Sequence, residues 1–403
     1  MYTYMSCTRT CNTASIIAND IYPANVRLTR PQKLNHKTVH PQNNDRNYHT
    51  KMTPTTRHHL YPPFPAELPT APLVSVSLAK LEASDGAESK AFFDACRSLG
   101  FFYLDTLGSP LGSSLVEEAE QLNDLQARFF KLPDQEKEEY AREKVDPFFG
   151  YRHGDLGTSH DDGTPKRNES YNMRKDDFEG NCEALPHPSL IKEHWSLLQS
   201  YVRHCRAVID LMLTHLEVHL ELPIGTLANL HRIKERSGDH VRFNQRAIQP
   251  YSDGDAKQGE HTDFGTLTIL FNWLGGLQIR RPDTEDWVYV KPVPGHAIIN
   301  LGDSLVKFTA GILRSNVHRV VVPPAPQDTI VRNSLVYFSR PEDTVVLRRL
   351  RGGLIDKQPW PETSEPEMTS QEWILRRSVG DLKGVYTHSG GLELRPQMAA
   401  GRV

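Results

Sequence analysis

The spacing of apolar residues changes at about Gly225. Before it, apolar side chains recur every three or four positions, which predicts helices over AESKAFFDACRSLG, from Ser114 to Pro133, and over one long segment. The apolar stripe of that segment spans about seven turns and predicts a packing face. It consists of Trp195, Leu198, Val202, Cys205, Ile209, Met212, Leu216 and Leu220. LVSVSL and FFYLD alternate as strands do, and the polar segment from Asp146 to Asn172 predicts a loop.

After Gly225, short β-rich runs separated by turn signals replace the helices. The runs are DHVRFNQRAI, TLTILF, LQIRR, WVYVK, AIINLGD, LVKFT, SNVHRVVV and IVRNSLVYF. Eight short strands at this spacing predict a double-sheet jelly roll or a related barrel. The predicted fold class is therefore mixed α and β, with a jelly-roll core and flanking N-terminal and long central helices.

Length and composition suggest four segments, because 403 residues exceed the roughly 250 to 300 at which single cores stop growing. We expect a leader at 1–66, a mostly helical region at 67–225, the jelly-roll core at 226–345 and a C-terminal extension at 346–403. The leader has no glycine and only two acidic residues, which predicts disorder. A mitochondrial transit peptide, or a translation start at Met52, are the alternatives for it.

Charge and cysteine content narrow the class of protein. The formal net charge of -3 argues against nucleic acid as a partner, and no apolar run reaches the ~18 residues of a membrane span. Five scattered cysteines predict a reducing compartment rather than a disulfide scaffold. We therefore expect a soluble, cytoplasmic protein that binds neither nucleic acid nor membrane.

The stretch GEHTDFGTLTIL contains the candidate metal ligands His261 and Asp263. Residues two apart on a strand point to the same face, so an imidazole and a carboxylate would converge there. His318, in the strand-like run SNVHRVVV, is the candidate third ligand. Two histidines and one carboxylate hold non-haem Fe(II) and leave positions open for oxygen chemistry.

The spacing of this pair is not specific, since it recurs elsewhere in the chain. Four other pairs match it: His153 and Asp155, His160 and Asp162, His215 and Glu217, and His219 and Glu221. The first two fall in the predicted loop, and the last two on the long helix, where residues two apart diverge. A solvated polar pair at 261 and 263, and a structural histidine at 318, are the alternatives.

Arg332 and Ser334 form a second constellation on the strand-like run IVRNSLVYF. A guanidinium is a planar fork that matches a carboxylate, and a neighbouring hydroxyl adds another hydrogen bond. An arginine directed into a barrel requires an anion. The alternative is that both side chains point to solvent.

Together these motifs resemble the 2-oxoglutarate and Fe(II)-dependent oxygenase superfamily, in the branch of isopenicillin N synthase and plant anthocyanidin-type oxygenases. The family pattern His-x-Asp, His, Arg-x-Ser is matched by His261, Asp263, His318, Arg332 and Ser334. Further blocks that look alike are LGGLQI, INLGDSL and RNSLVYFSRP. The resemblance covers residues 70 to 345 and implies a double-stranded β-helix core.

The resemblance also implies the cofactors and the role of each site residue. Fe(II) would be bound by the two histidines and the aspartate, and 2-oxoglutarate would chelate the iron and place its distal carboxylate on the Arg-x-Ser pair. O2 and a small-molecule substrate complete the reaction, which converts 2-oxoglutarate to succinate and CO2. Arg246 stands where many relatives have a tyrosine. It could bind 2-oxoglutarate, face a substrate carboxylate, or be solvated.

Family geometry suggests that Phe243, Phe264 and Phe338 line the substrate pocket. The chain is more similar to fungal secondary-metabolism members than to plant enzymes, so the expected substrate is a small organic metabolite. Hydroxylation, desaturation and ring formation are not separated by any motif. Two alternative functions are an isopenicillin N synthase-type oxidase that does not use 2-oxoglutarate, and a non-catalytic jelly-roll binding protein.

Overall fold

The structure is a computed structural model and describes residues 57–153, 168–248, 259–359 and 367–382. Its helices are α1 (Leu78–Glu82), α2 (Gly86–Ser98), α3 (Pro110–Phe129), α4 (Asp134–Glu138), α5 (Arg142–Val145), α6 (Lys175–Glu179), α7 (Ser189–Glu193), α8 (Trp195–His219), α9 (Asp303–Phe308), α10 (Gly353–Asp356) and α11 (Ser370–Leu382). Its strands are β1 (Ser75–Ser77), β2 (Phe101–Asp105), β3 (Gly150–His153), β4 (Asn168–Arg174), β5 (His240–Arg246), β6 (Leu267–Asn272), β7 (Leu277–Arg280), β8 (Trp287–Tyr289), β9 (His296–Leu301), β10 (His318–Val320) and β11 (Arg332–Phe338).

These strands form two sheets. The larger has the order β1-β2-β9-β6-β11-β5-β4-β3, and the smaller has the order β10-β7-β8. All neighbouring strands are antiparallel except β1 and β2. The sheets face each other across a small apolar cluster that includes Phe101, Ile279 and Ile298. The mixed α and β class with a double-stranded β-helix core is thus confirmed.

The main hydrophobic core lies between the outer face of the larger sheet and the helices α2, α3 and α8. The apolar stripe predicted on α8 packs here: Leu198, Val202, Cys205, Ile209, Met212 and Leu216 are fully buried. Glu217, which follows the stripe, is also fully buried, and its carboxylate accepts hydrogen bonds from the backbone of Gly225, Leu227 and Ala228. The long central helix is therefore a support for the sheet.

The inner face of the larger sheet is polar where the strands β4, β5 and β11 meet. Directly opposed residues on antiparallel strands point to the same side. Arg332 opposes Arg246, and Ser334 opposes Asn244, so these four side chains share the inner face. Phe243 and Leu335 alternate with them and belong to the main core. The polar inner face positions the candidate site.

Three sequence predictions about local structure are wrong. Helix α3 begins at Pro110, not Ser114, because the hydroxyl of Ser109 accepts from the Gly112 N–H and caps the helix. LVKFT lies in α9 rather than in a strand, since a run this short fits either period. The segment 146–172, predicted as a loop, contains β3 and the first residues of β4. The inward-facing residues of these two strands are polar because they line the interior of the fold.

Residues 57–66, assigned to the leader, make defined contacts. The Arg57 guanidinium pairs with Asp124 on α3, and the ring of Phe64 lies 5.8 Å from that of Tyr289. The prediction of disorder is therefore wrong for this part, and residues 1–56 lie outside the described residues. The boundaries at 225 and 345 remain predictions. Among the described helices none is long and apolar enough to cross a bilayer, and Cys96, Cys182 and Cys205 form no disulfide.

Candidate metal and cosubstrate site

His261 and His318 are brought together by the backbone. The N–H of each donates to the carbonyl of the other, at 3.0 and 2.9 Å, and their ring centroids are 4.3 Å apart. His261 forms an isolated bridge and Asp263 lies in the loop before β6, so the prediction that both lie on a regular strand is wrong. The convergence is nevertheless as predicted, because the ligand atoms of His261, Asp263 and His318 lie within 4.8 Å of one another.

Both imidazole rings present the same nitrogen to the centre of this triad. Nδ1 of His261 donates to the Gly259 carbonyl at 2.8 Å, and Nδ1 of His318 donates to the Asn316 carbonyl at 3.1 Å. A carbonyl can only accept, so Nδ1 carries the proton and Nε2 carries the lone pair. These Nε2 atoms lie 3.9 and 3.8 Å from Oδ1 of Asp263. The separation is too long for a hydrogen bond and suits an ion with metal–ligand bonds of about 2 Å.

Asp263 is held as a carboxylate. Its second oxygen, Oδ2, accepts from the Thr268 hydroxyl and the Asn300 amide, each at 2.6 Å. Burial alone would raise the pKa of Asp263, but His318, His261 and these two hydrogen bonds lower it overall. The triad thus combines one hard carboxylate oxygen with two borderline imidazole nitrogens, all held in a fixed orientation. This combination of ligands suits Fe(II).

The loop that carries Asp263 is supported from behind by α9 and α11. The Asp303 N–H donates to the Asp263 carbonyl at 2.8 Å, and the Thr262 hydroxyl donates to the Asp303 carboxylate at 3.0 Å. From α11, the Trp373 indole N–H donates to the Phe264 carbonyl at 3.3 Å, and Arg377 forms a fully buried ion pair with Asp303. The C-terminal helix therefore contributes to the position of a metal ligand.

Arg332 is a buried cation without a carboxylate partner among the described residues. Only 4% of the residue is exposed; its Nε donates to the Gly275 carbonyl at 2.8 Å and its Nη1 to the Ser334 hydroxyl at 3.3 Å. Burial, and then the neighbouring Arg246, lower its pKa to about 10. Glycine is required at 276, where φ is +100°, because a Cβ there would lie 2.6 Å from the Val321 carbonyl oxygen and 3.4 Å from Nε of Arg332. A buried guanidinium held in this way fits an anion.

Arg246 lies directly opposite Arg332 and belongs to the same inner face. Its Nη1 donates to the carbonyl of Val320, two residues beyond the ligand His318. The side chain is only partly exposed, and its Nε is buried. This placement disfavours the alternative in which Arg246 is solvated. The two remaining alternatives are that Arg246 binds 2-oxoglutarate or that it binds a carboxylate of the substrate.

Of the three phenylalanines predicted to line a substrate pocket, Phe243 does not. It is fully buried in the main core, because it points to the outer face of β5, opposite to Arg242 and Arg246. Phe338 is partly exposed on the inner face, stacked on His240 with 4.7 Å between ring centroids. Phe264 follows the ligand Asp263, but its ring packs against the main core and lies 4.5 Å from the Arg377 guanidinium, so of the three Phe338 remains the candidate for substrate contact.

The competing pairs on α8 are structural. His215 bonds to the Ser89 hydroxyl and the Leu81 carbonyl, while Glu217 caps the segment after the helix. His153 is exposed, and Asp155, His160 and Asp162 lie outside the described residues. Sequence reasoning missed the supporting residues Thr268 and Asn300. The signal for Asn300 was a lone amide in the apolar strand HAIINL.

The jelly-roll fold and the His-Asp-His triad are the features of a non-haem iron protein, and the buried Arg332 fits an anion. Comparison with known proteins agrees. The profile of the 2OG-Fe(II) oxygenase superfamily matches residues 238–341, and the profile described as non-haem dioxygenase in morphine synthesis N-terminal matches residues 71–193.

Individual proteins extend the match over most of the chain. A 2-oxoglutarate-dependent dioxygenase of Aspergillus fumigatus is 32% identical over 343 residues, which cover 78% of this chain and 87% of that protein. The 2-oxoglutarate-dependent dioxygenase frbH of a Dothideomycetidae species is 30% identical and covers 72% of this chain and 88% of its own length. The crystal structure of a full-length Neurospora crassa protein in complex with alpha-KG shares the fold, with TM-score 0.60, 21% identity and coverage of 76% and 95%.

The chain therefore belongs to the 2-oxoglutarate and Fe(II)-dependent oxygenase superfamily. It is an enzyme, a dioxygenase, and its cofactors are Fe(II) and 2-oxoglutarate, as the sequence predicts. The family acts on small molecules with O2.

Proposed function

We propose that the protein oxidises a small organic metabolite, with iron held by His261, Asp263 and His318 and with the distal carboxylate of 2-oxoglutarate on Arg332 and Ser334. The observation that carries the anion assignment is the buried Arg332, which lies beside Arg246 and has no carboxylate partner in the part of the chain that the structure describes. Two adjacent guanidinium groups in one interior repel each other, and a bound dianion offsets that repulsion. The similarity to 2-oxoglutarate-dependent dioxygenases of fungi supports the part of the proposal that places the metabolite in fungal secondary metabolism.

When bound, iron and 2-oxoglutarate supply the activation of O2, coupled to conversion of 2-oxoglutarate to succinate and CO2. The chain supplies orientation. Asp263 is held by Thr268 and Asn300, and both histidines are held by backbone carbonyls. These three residues would hold the metal and leave it able to bind the acid and O2.

The site opens on the side of His261. Its side chain is 42% exposed, whereas those of Asp263 and His318 are 8% and 10% exposed. The substrate would approach there, between the metal and the partly exposed ring of Phe338. Arg246 serves as a second donor to 2-oxoglutarate, in place of the tyrosine of many relatives.

The test is an anaerobic titration of the purified protein with Fe(II), with and without 2-oxoglutarate, followed by the visible charge-transfer absorption of the ternary complex. We expect a band that requires both components and is lost in Arg332→Ala. Iron binding without any such band would contradict the proposal and favour the isopenicillin N synthase-type oxidase. That alternative has its support in the arginine at position 246.

The oxidative outcome is a separate question for mass spectrometry of the product. Incorporation of one oxygen atom from O2 indicates hydroxylation, and loss of two hydrogens indicates desaturation or ring formation. Succinate measured in the same reaction shows whether 2-oxoglutarate is consumed in step with the substrate.

A further inference from the structure

More arginines line the inner face than the cosubstrate requires. Arg152 on β3 opposes Ser170, which opposes Asn244 on β5, which opposes Ser334 on β11. Arg152 therefore lies in the same row of the sheet as the proposed cosubstrate-binding Ser334. Arg242, two residues before Asn244, points to the same side. The inner face of the larger sheet therefore carries positive charge on β3 and β5 in addition to that of Arg332 and Arg246.

Two further arginines adjoin this row around the ring of Phe148. Arg142 on α5 lies with its guanidinium 5.6 Å from the ring centroid, and its Nε donates to the Phe148 carbonyl at 3.1 Å. Arg340 lies 4.5 Å from the same centroid. We call Arg142, Arg152, Arg242 and Arg340 the arginine cluster.

Neither Arg142 nor Arg152 forms an ion pair with a described carboxylate. The Arg152 Nε is buried without a hydrogen bond, and the Arg142 Nε donates to a neutral carbonyl. Glu143 and Asp146 act on Arg142 electrostatically without forming an ion pair with it, and Oδ1 of Asp146 already accepts from the backbone of Phe148 and Phe149. The positive charge of these two residues is thus not balanced by a partner of their own among the residues that the structure describes.

The electrostatic consequence is visible in the arginines themselves. Burial, followed by repulsion from Arg242 and Arg152, lowers the pKa of Arg142 to about 9. Burial also lowers the pKa of Arg340 to about 10. Like charges held together in a partly desolvated interior destabilise the unliganded protein, and such arrangements are typical of ligand sites.

The cosubstrate does not account for this charge. One carboxylate of 2-oxoglutarate is assigned to the metal and the other to Arg332, Ser334 and Arg246, which leaves no anionic group for Arg142 or Arg152. A second anion is therefore needed in the same interior. Arg242 and Arg340 lie 4.8 and 6.0 Å from the ring centroid of Phe338, the residue expected to contact the substrate, so the substrate is the candidate for that anion.

We propose that the substrate is an organic acid whose carboxylate binds Arg152 and Arg142, while its carbon skeleton extends past Phe338 towards the metal. This inference rests on the proposed function. A planar guanidinium fork matches a carboxylate and gives directional as well as electrostatic selectivity. Binding of the carboxylate end would orient the carbon atom that is oxidised. Arg152 and Arg142 would thus determine substrate specificity although they lie away from the reacting atoms.

The experiment is calorimetric titration, under anaerobic conditions, of protein loaded with Fe(II) and 2-oxoglutarate. The probes are a panel of aromatic and aliphatic carboxylic acids, each paired with its methyl ester and with the phosphate monoester of the matching alcohol. We expect binding to be confined to acids, with loss of at least tenfold in affinity for their esters. The variants Arg152→Gln and Arg142→Gln should bind these acids with at least tenfold lower affinity. Their affinity for 2-oxoglutarate should be unchanged.

Arg203→Gln is the matched control, because Arg203 lies on α8 and pairs with Glu179 away from the interior. It should leave acid binding unchanged. Thermal melting verifies that each variant is folded, and Arg152→Lys should restore part of the affinity by restoring the charge. Esters or phosphates that bind as tightly as the acids, a panel with no binding acid, or folded glutamine variants with full affinity would each overturn the proposal. Failure of 2-oxoglutarate itself to bind would instead contradict the proposed function.

Discussion

The amide of Asn300 donates a 2.6 Å hydrogen bond to Oδ2 of Asp263, the carboxylate oxygen that does not face the two imidazoles. Asn300 belongs to β9 and Asp263 to the loop before β6, so the bond crosses between two elements. It fixes the rotation of the carboxylate and directs Oδ1 to the metal. Such supporting bonds tune metal affinity almost as strongly as the ligands do.

Asn300→Leu should therefore weaken iron binding by roughly 10- to 100-fold, because the side chain keeps its size but loses the donor. Anaerobic titration with Fe(II) measures the affinity. Asn333→Leu is the control, since Asn333 bonds to Gln245 on the opposite face of its sheet. Equal affinities in the two variants would show that the Asn300 bond does not position the ligand.

His261→Ala and Asp263→Ala should abolish iron-dependent turnover, because each removes a metal ligand, and should leave the fold intact, because neither side chain belongs to the apolar core. His153→Ala and substitutions of Asp155, His160 and Asp162 should change neither. Bound iron measured by elemental analysis, together with circular dichroism, distinguishes the cases. If the second group loses iron and the first retains it, the site has been assigned to the wrong residues.

Arg332→Ala should weaken 2-oxoglutarate by on the order of a hundredfold, since each charge-assisted hydrogen bond contributes roughly 1.5 to 3 kcal/mol. Arg246→Gln should cause a smaller loss, because it removes one donor but also relieves repulsion of Arg332. The dissociation constant for 2-oxoglutarate is the measurement. Arg281→Gln, which affects only a surface pair with Asp283, is the control. An unchanged requirement for 2-oxoglutarate in Arg332→Ala would exclude that role.

His231 should make the folded state sensitive to acid. Burial, and then Arg206, lower its pKa from 6.5 to about 3, and its Nδ1 donates to the Leu227 carbonyl while Nε2 accepts from the Thr266 hydroxyl. Below pH 6.5 the unfolded chain takes up a proton that the native state does not. The contribution of neutral His231 to the free energy of unfolding is therefore complete above this pH. It is lost as the pH falls towards about 3, by up to roughly 1.4 kcal/mol per pH unit.

Urea unfolding between about pH 7 and about pH 4 measures this effect. In His231→Gln the decline in the free energy of unfolding with falling pH should be shallower than in the native protein, whatever the stability of the variant at neutral pH. Parallel declines would mean that His231 is not the group responsible.

Trp373→Ala should destabilise the protein by about 3 to 5 kcal/mol and also weaken iron binding. Trp373 is buried in the main core, and its indole donates to the loop carrying Asp263. Leu375→Ala on the same helix is the control, because Leu375 is 44% exposed. Urea unfolding and iron titration are the two measurements. A stability loss without any change in iron affinity would limit α11 to a structural role.

Periodicity alone was sufficient for α8 and for most strands of the jelly roll, because a long apolar stripe and short alternating runs each bury one face. It failed at LVKFT, where five residues fit either period, and in β3 and β4, whose inward residues are polar. A strand that lines a polar interior loses the alternation by which strands are recognised. The same reason hid Arg152, one member of the arginine cluster, within an apparent loop.

The sequence by itself determined which residues could bind a metal and an anion, since His261, Asp263, His318, Arg332 and Ser334 have the chemistry and the spacing. The tertiary structure decided which of the equivalent pairs could do so, because ligand atoms from separate elements converge only at this triad among the described residues. It also decided that Phe243 packs in the core and that Arg152 faces the interior. Those outcomes depend on strand register, which is set by pairing between residues far apart in the chain and is not encoded in any local pattern.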